Sequence, residues 1–191
     1  MNCSSFYNKI YSDNPKKWSI SWRDEFAYKV ISRHTTPESV LDIGCGNGHT
    51  LAYLHKHWDA EYYGIDFSKQ AIEIAKRNAP FAKLSCEKFE DSSATADVVV
   101  IMGVLEHFKE LEKALLKLRD TGRLIYVECP NCLSYSDMTY EGFRRTSNAT
   151  AQQEWHLTRE TWEGYILEAG FEIVESVVGK TKTTEFVWVL Q

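Results

Sequence analysis

Three glycines at alternate positions, Gly44, Gly46 and Gly48, follow directly on an apolar run in Val40-Leu41-Asp42-Ile43-Gly44-Cys45-Gly46-Asn47-Gly48-His49. The order reads as a buried strand, a tight turn and the start of a helix. Glycine opens left-handed backbone conformations and lets a ligand rest directly on the main chain. A strand that ends this way is expected to offer free N–H groups, and the positive end of a helix dipole, to an anionic group. The spacing is G-x-G-x-G. The dinucleotide pattern G-x-G-x-x-G would place its third glycine at position 49, which is His49. An acidic side chain, Asp42, stands two positions before Gly44, and Asn47 sits inside the turn.

A second junction of the same kind follows, Tyr62-Tyr63-Gly64-Ile65-Asp66-Phe67-Ser68. An apolar strand ends at Asp66, whose carboxylate suits a ribose diol because it accepts two hydroxyl hydrogen bonds. The other reading of Asp66 is a capping residue beside Ser68, itself a good helix N-cap. In these two junctions the chain resembles the class I S-adenosylmethionine-dependent methyltransferases. Within them it is most similar to the small-molecule type that carries LDIGCGxG, GxDxS, LEH and GRLI…PN segments. Here these are Leu41 to Gly48, Gly64 to Ser68, Leu105-Glu106-His107, and Gly122 to Ile125 with Pro130-Asn131. The resemblance runs from about Tyr7 to Val178.

That resemblance implies a cofactor, S-adenosyl-L-methionine, and a place for each part of it. Gly44, Gly46 and Gly48, with Asn47 between them, would bring the backbone against its methionine portion. Asp42 would hold its amino group directly or through water, and Asp66 its ribose. Phe67 would flank the adenine, and Glu87, in Cys86-Glu87-Lys88-Phe89, would accept from the adenine amino group; a solvated acidic turn is the alternative for Glu87. The carbonyl of Met102 or Gly103 would take the cofactor's amino group, and the stretch from Met102 to His107 would face the sulfonium. His107 is the imidazole of that stretch and so the candidate catalytic base; its other reading is a histidine at a helix start, bonded to Glu106 or to backbone. His156, in Glu154-Trp155-His156-Leu157, is a second histidine that could face the cleft.

These residues need elements to hold them. Trp22, Phe26, Ala27, Val30 and Ile31 recur at helical spacing ahead of the glycine motif. Strands are expected near 39–43, up to Ile65, at 82–86, at 98–102 and at 124–127. Helices are expected from Gly48 to His57, around Ala71, Ile72 and Ala75 until Pro80, along Leu111, Ala114, Leu115 and Leu118, and along Trp162, Tyr165, Ile166 and Ala169 until Gly170. Two last strands, 171–178 and 184–190, are joined by the short polar loop Gly179 to Thr183, which implies a hairpin. Strands alternating with helices give an α/β fold: a doubly wound, seven-stranded, mostly parallel, Rossmann-like sheet with an antiparallel C-terminal hairpin. Ligands in such a sheet bind at the carboxyl ends of the strands, beside the first one. Segment 133–157 mixes polar and aromatic residues without period and reads as a long lid or insert loop. The N-terminal segment 1–35 reads as a helical lid. Tyr7, Tyr11, Trp18 and Trp22 there either cover the cofactor or pack the first helix on the sheet.

Composition bounds the rest. The 191 residues suit a single domain, 1–191. A net charge of −5 argues against a general nucleic-acid binder. No apolar run is long enough for a membrane span, and the first residues lack the basic and apolar regions of a signal peptide. Five scattered cysteines imply free thiols and a reducing cytoplasm, in which the sequons at Asn2 and Asn148 have no consequence. Cys129-Pro130-Asn131-Cys132 is a C-x-x-C, but no further metal ligands stand at sensible spacing, so no metal is expected. The expected partner is a small-molecule methyl acceptor reacting at O or N; oligomeric state is not legible. The competing readings are a non-catalytic binder of the cofactor or partner subunit, an RNA or DNA methyltransferase, and a nicotinamide oxidoreductase. The DNA amino-methylating type carries an Asn/Asp-Pro-Pro-aromatic run where this chain has Met102 to Leu105, and His49 disfavours the oxidoreductase.

Overall fold

The computed structural model describes residues 3–16, 21–130, 142–145, 153–178 and 185–191. The chain divides into two compact units, Met1–Val100 and Ile101–Gln191. In the first, helices α1 (Cys3–Asp13) and α2 (Ser21–Ile31) precede strand β1 (Ser39–Ile43), helix α3 (His49–Leu54), β2 (Glu61–Asp66), α4 (Lys69–Asn78), β3 (Lys83–Cys86) and β4 (Ala96–Met102). In the second come α5 (Leu111–Arg119), β5 (Gly122–Pro130), β6 (Gly142–Arg145), β7 (Gln153–His156), α6 (Arg159–Glu168), β8 (Ile173–Val178) and β9 (Glu185–Leu190).

Seven strands form one sheet in the order β3-β2-β1-β4-β5-β9-β8. β1 and β2 run parallel with Asp42 opposite Gly64, and β2 and β3 run parallel with Asp66 opposite Cys86. β9 is antiparallel to both neighbours, with Val127 opposite Trp188 and Val177 opposite Val187. This is the doubly wound sheet with the closing antiparallel strand that the alternation implies; the loop joining β8 to β9 lies outside the described residues. Val98 to Ile101 are fully buried, as a strand covered on both faces requires.

Local chemistry sets the helix ends. Ser68 stands in extended conformation before α4, and its hydroxyl accepts the Ala71 amide at 3.1 Å. Lys76 and Arg77 in the last turn suit the negative end of the helix dipole. α6 starts on Thr158, which caps Thr161 at 3.2 Å. It stops on Gly170 at φ 85°, where the Gly170 amide bonds Leu167 and the Phe171 amide bonds Ile166, the paired closure of a left-handed glycine cap.

Two expectations change. α3 covers only His49–Leu54, shorter than the 48–57 expected. Segment 133–157 is not wholly loop: β6 and β7 pair antiparallel, Gly142 opposite His156 and Arg145 opposite Gln153. Four-residue strands are too short to show an alternation, so the pairing left no period to read. Residues 133–141 and 146–152 of that segment, and Trp18, lie outside the described residues.

Candidate active site

In the first unit the glycine turn is left-handed three times, at Gly44 (φ 72°), Gly46 (φ 51°) and Gly48 (φ 76°). Its amides are used internally. Gly44 and Cys45 both donate to the Ile65 carbonyl, at 2.8 and 3.0 Å, and Gly48 donates to the Cys45 carbonyl at 2.8 Å. Gly46 donates to Asp66 Oδ2 at 3.0 Å, and His49 to Asn47 Oδ1 at 3.2 Å. The expected row of free N–H groups is therefore corrected. These donors are consumed by β2 and by the turn itself, because two strand ends this close satisfy each other first.

The missing side chains also have internal reasons. A Cβ at Gly48 would press on Ala75 of α4 at 3.1 Å, so this glycine lets α4 approach. A Cβ at Gly46 would strike the Tyr11 hydroxyl. Asn47 reaches back toward α1, its Nδ2 donating to the Pro15 carbonyl at 3.0 Å, while Asn78 Nδ2 donates to the Asn47 carbonyl at 2.9 Å.

Asp66 takes one amide on each carboxylate oxygen, Gly46 on Oδ2 and Ser68 on Oδ1 at 2.7 Å. A carboxylate has about four acceptor positions, so each oxygen keeps capacity for a hydroxyl. Burial pushes its pKa up to about 6, against the pull of the two amides. Phe67 is half-buried and meets Tyr7 edge-on at 5.2 Å. The Glu87 amide donates to the Asp66 carbonyl at 3.1 Å, which puts the tip of β3 beside that of β2. Glu87 Oε1 accepts the Ser92 hydroxyl at 3.2 Å.

α1 covers this turn. It packs on α4, with Tyr7 and Tyr11 against Ala71 and Ile74. Tyr11 is only 5% exposed. Burial first, then the charge of Asp66, pushes its hydroxyl well above the ordinary tyrosine range. Asp42 is buried, and burial, Asp24 and Asp66 all push its carboxyl well up while Arg23 opposes them. Sequence reasoning passed over Asp24, which lies on the buried side of α2 in line with Ala27 and Ile31. Its Oδ2 meets His49 Nδ1 at 2.5 Å and its Oδ1 accepts the Thr50 hydroxyl at 2.8 Å. A carboxylate falling on an apolar helical stripe was the signal that could have found it. Asp24 and Asp66 thus both lie close enough to Asp42 to raise its carboxyl, so three acidic side chains gather about the turn.

In the second unit Gly103 is left-handed at φ 66° after β4, and its amide donates to the Glu128 carbonyl of β5 at 2.9 Å. Met102 is half-buried. A single 3-10 turn, Leu105–His107, then presents His107. β7 lies against that turn, fixed by Trp155 Nε1 donating to the Phe108 carbonyl at 2.8 Å. The hairpin thereby unites the two histidines considered from sequence. Glu154 Oε2 is 4.0 Å from His107 Nδ1, and Glu154 Oε1 is 3.6 Å from His156 Nε2. Glu106 Oε1 is 3.9 Å from His107 Nε2. The His107 side chain is 26% exposed, against 4% for Glu106, 19% for Glu154 and 4% for His156, so the cluster opens to solvent through His107. Burial pushes the Glu154 carboxyl up, His107 draws it back and Glu106 adds to the rise.

Among the described residues no three His, Cys, Asp or Glu side chains are arranged to hold a metal ion. Cys45, Cys86 and Cys129 are free thiols; Cys132 of the C-x-x-C lies outside the described residues. No helix among the described residues is long and apolar enough to cross a membrane.

A family model described as a methyltransferase domain matches residues 19–176. The chain is 25% identical over 142 residues to a protein named probable (S)-tetrahydroprotoberberine N-methyltransferase 2 of Papaver bracteatum, covering 70% of this chain and 36% of that one. It is 28% identical over 128 residues to the ubiquinone biosynthesis O-methyltransferase of Mesorhizobium japonicum, covering 61% of this chain and 51% of the relative. The chain thus spans between about a third and a half of these relatives' length. In fold it is similar to the 1,6-didemethyltoxoflavin-N1-methyltransferase of Burkholderia thailandensis, with TM-score 0.78 and 16% identity over 98% of this chain and 85% of that one.

Proposed function

This chain belongs to the methyltransferase-domain family, and on that premise we propose that it is of the class I S-adenosylmethionine-dependent type and moves a methyl group from S-adenosyl-L-methionine to an oxygen or nitrogen atom of a small molecule. The observation that carries the reading is Asp66, held by the Gly46 and Ser68 amides at the tip of β2 with acceptor capacity to spare. The residues fit a nucleoside bearing hydroxyls and an ammonium group. Asp66 keeps acceptor capacity for hydroxyls, while the Gly44, Cys45, Gly46 and Gly48 amides are already bonded and so do not form a cradle for an anionic group.

When bound, the cofactor supplies an activated methyl group on a sulfonium. The chain's own residues do the rest. Asp66 orients the ribose hydroxyls, Glu87 receives the adenine amino group, and Phe67 with Tyr7 shields the base. Gly44, Gly46, Asn47 and Gly48 shape the main chain around the methionine portion, with Asp42 toward its amino group and the Met102 and Gly103 backbone as a further acceptor. α1, carrying Tyr11, excludes water from that turn. His107 takes the proton of an oxygen nucleophile, an assistance worth roughly 10²–10⁴ in rate. A nitrogen nucleophile needs less help and depends on alignment alone. The free thiols of Cys45, Cys86 and Cys129 suit a reducing compartment such as the cytoplasm.

A methyl-transfer screen over sugars, lipids, quinones and small metabolites, read by release of adenosylhomocysteine, tests the reading. Turnover with one class is the expected result. Tight adenosylhomocysteine binding with no turnover on any class would make the chain a cofactor-binding protein instead.

A further inference from the structure

In the sequence His107 and His156 are separate candidates for the base. The fold makes them members of one cluster, and the member between them is a carboxylate. Glu154 offers one oxygen to each imidazole, at 4.0 Å to His107 Nδ1 and 3.6 Å to His156 Nε2. β7 is pinned to the His107 turn through Trp155 and Phe108, so the carboxylate is delivered by a strand rather than by a loose loop. Resting on the methyl-transfer reading, we propose that Glu154 is the positioning residue of the active site. It fixes the His107 ring and steadies the imidazolium that forms when that ring takes the acceptor's proton.

The charge balance is simple. The acceptor's O–H bond breaks and the proton forms an N–H bond on His107; the electron pair left on oxygen bonds the methyl carbon as the carbon–sulfur bond breaks, its pair staying on the sulfur. The positive charge that arrives with the sulfonium leaves as that proton, which passes to water through the exposed edge of His107. Glu154 is largely screened from water, so its attraction for the imidazolium is damped less than that of a surface carboxylate. Its Oε1 lies 3.6 Å from Nε2 of His156, a buried neighbour.

Other charged groups approach the same turn. Glu106 lies 3.9 Å from His107 Nε2. β5 packs against the turn and brings the buried Glu128, which receives the Tyr126 hydroxyl at 3.5 Å. α5 also packs there; Glu110 at its head is paired with Lys113 at 2.8 Å. Of these, Glu154 alone sits at Nδ1, so its removal is expected to act on His107 in a way that the others do not replace.

The test is an NMR titration of the imidazoles in the full chain, with the His107 resonance assigned by its loss in His107→Gln. In Glu154→Gln the His107 midpoint is expected to fall by about one pH unit, the low end of what an opposite charge at this distance produces. Glu154→Asp keeps the charge on a shorter arm and should fall part of the way. It also serves where the Gln variant does not fold. With an accepted substrate, the acid limb of the kcat/KM profile should move by the same amount, and the KM for the cofactor should not change. A His107 midpoint equal to wild type in a folded Glu154 variant overturns the proposal. The titration requires no turnover, so its outcome is separate from that of the acceptor screen.

Discussion

Asn8 and Ser68 meet across sixty residues of sequence: the Ser68 hydroxyl donates to Asn8 Oδ1 at 2.8 Å. The same hydroxyl accepts the Ala71 amide as the cap of α4, and the same Asn8 oxygen accepts the Gln70 amide at 3.1 Å. The start of α4 and the attachment of α1 are thus one hydrogen-bond system, two residues beyond Asp66. Whatever loosens α1 also loosens the β2 tip where Asp66 stands.

Ser68→Ala and Asn8→Ala are each expected to cost about 1–2 kcal/mol in urea unfolding, the value of a lost cap or a buried hydrogen bond. The double variant should fall short of the sum by roughly 0.5–1 kcal/mol, because the two share partners. Strict additivity would show that α1 and α4 are anchored separately.

Asp66 gives a pH dependence with two opposite signs. Its folded pKa of about 6 lies above its ordinary 3.8, so its protonated form favours the native state. That stability is complete below about pH 4 and is lost as pH rises through about 6. Hydroxyl donors, however, bind the carboxylate. Adenosylhomocysteine affinity should therefore weaken as pH falls below 6, approaching tenfold per unit, and calorimetry in Asp66→Asn should show weaker binding with that slope gone.

Gly46→Ala meets two obstacles, the left-handed backbone at φ 51° and the Tyr11 hydroxyl in the path of the new Cβ. The backbone part alone is about 1–2 kcal/mol. Combining it with Tyr11→Leu should recover the steric part and leave the backbone part. A melting temperature for Gly46→Ala equal to wild type would mean that Tyr11 does not sit over the turn.

Asp24→Ala removes the carboxylate that joins α2 to His49 and Thr50 at the head of α3. The loss should be about 1–3 kcal/mol, with faster amide exchange along α3. Asp24→Asn should be milder, since an amide oxygen still receives the Thr50 hydroxyl. Unchanged exchange in the alanine variant would assign no structural role to the pair.

Much of this was readable without coordinates. The β1 and β2 junctions, the Ser68 and Thr158 caps, the Gly170 stop and the closing antiparallel strand follow from local rules: apolar period, left-handed glycine, side-chain oxygen before a helix. These depend on residues within a few positions of one another, so a linear string contains them. The candidate residues Asp42, Gly44, Gly46, Gly48, Asp66 and Gly103 could be named for the same reason.

The turn's hydrogen-bond economy could not. Whether the Gly44, Cys45 and Gly46 amides face a ligand or are already taken depends on how closely β2 approaches β1, a distance between strands and not a property of either. The cover that Tyr11 gives the turn, the Asp24–His49 contact and the joining of His107 to His156 through Glu154 are likewise pairings of residues far apart in sequence. Sequence chemistry determined which groups could act; the packing of β2, α1 and β7 decided which groups they meet, because hydrogen bonds and charge interactions are set by separations of a few ångströms that only the folded chain defines.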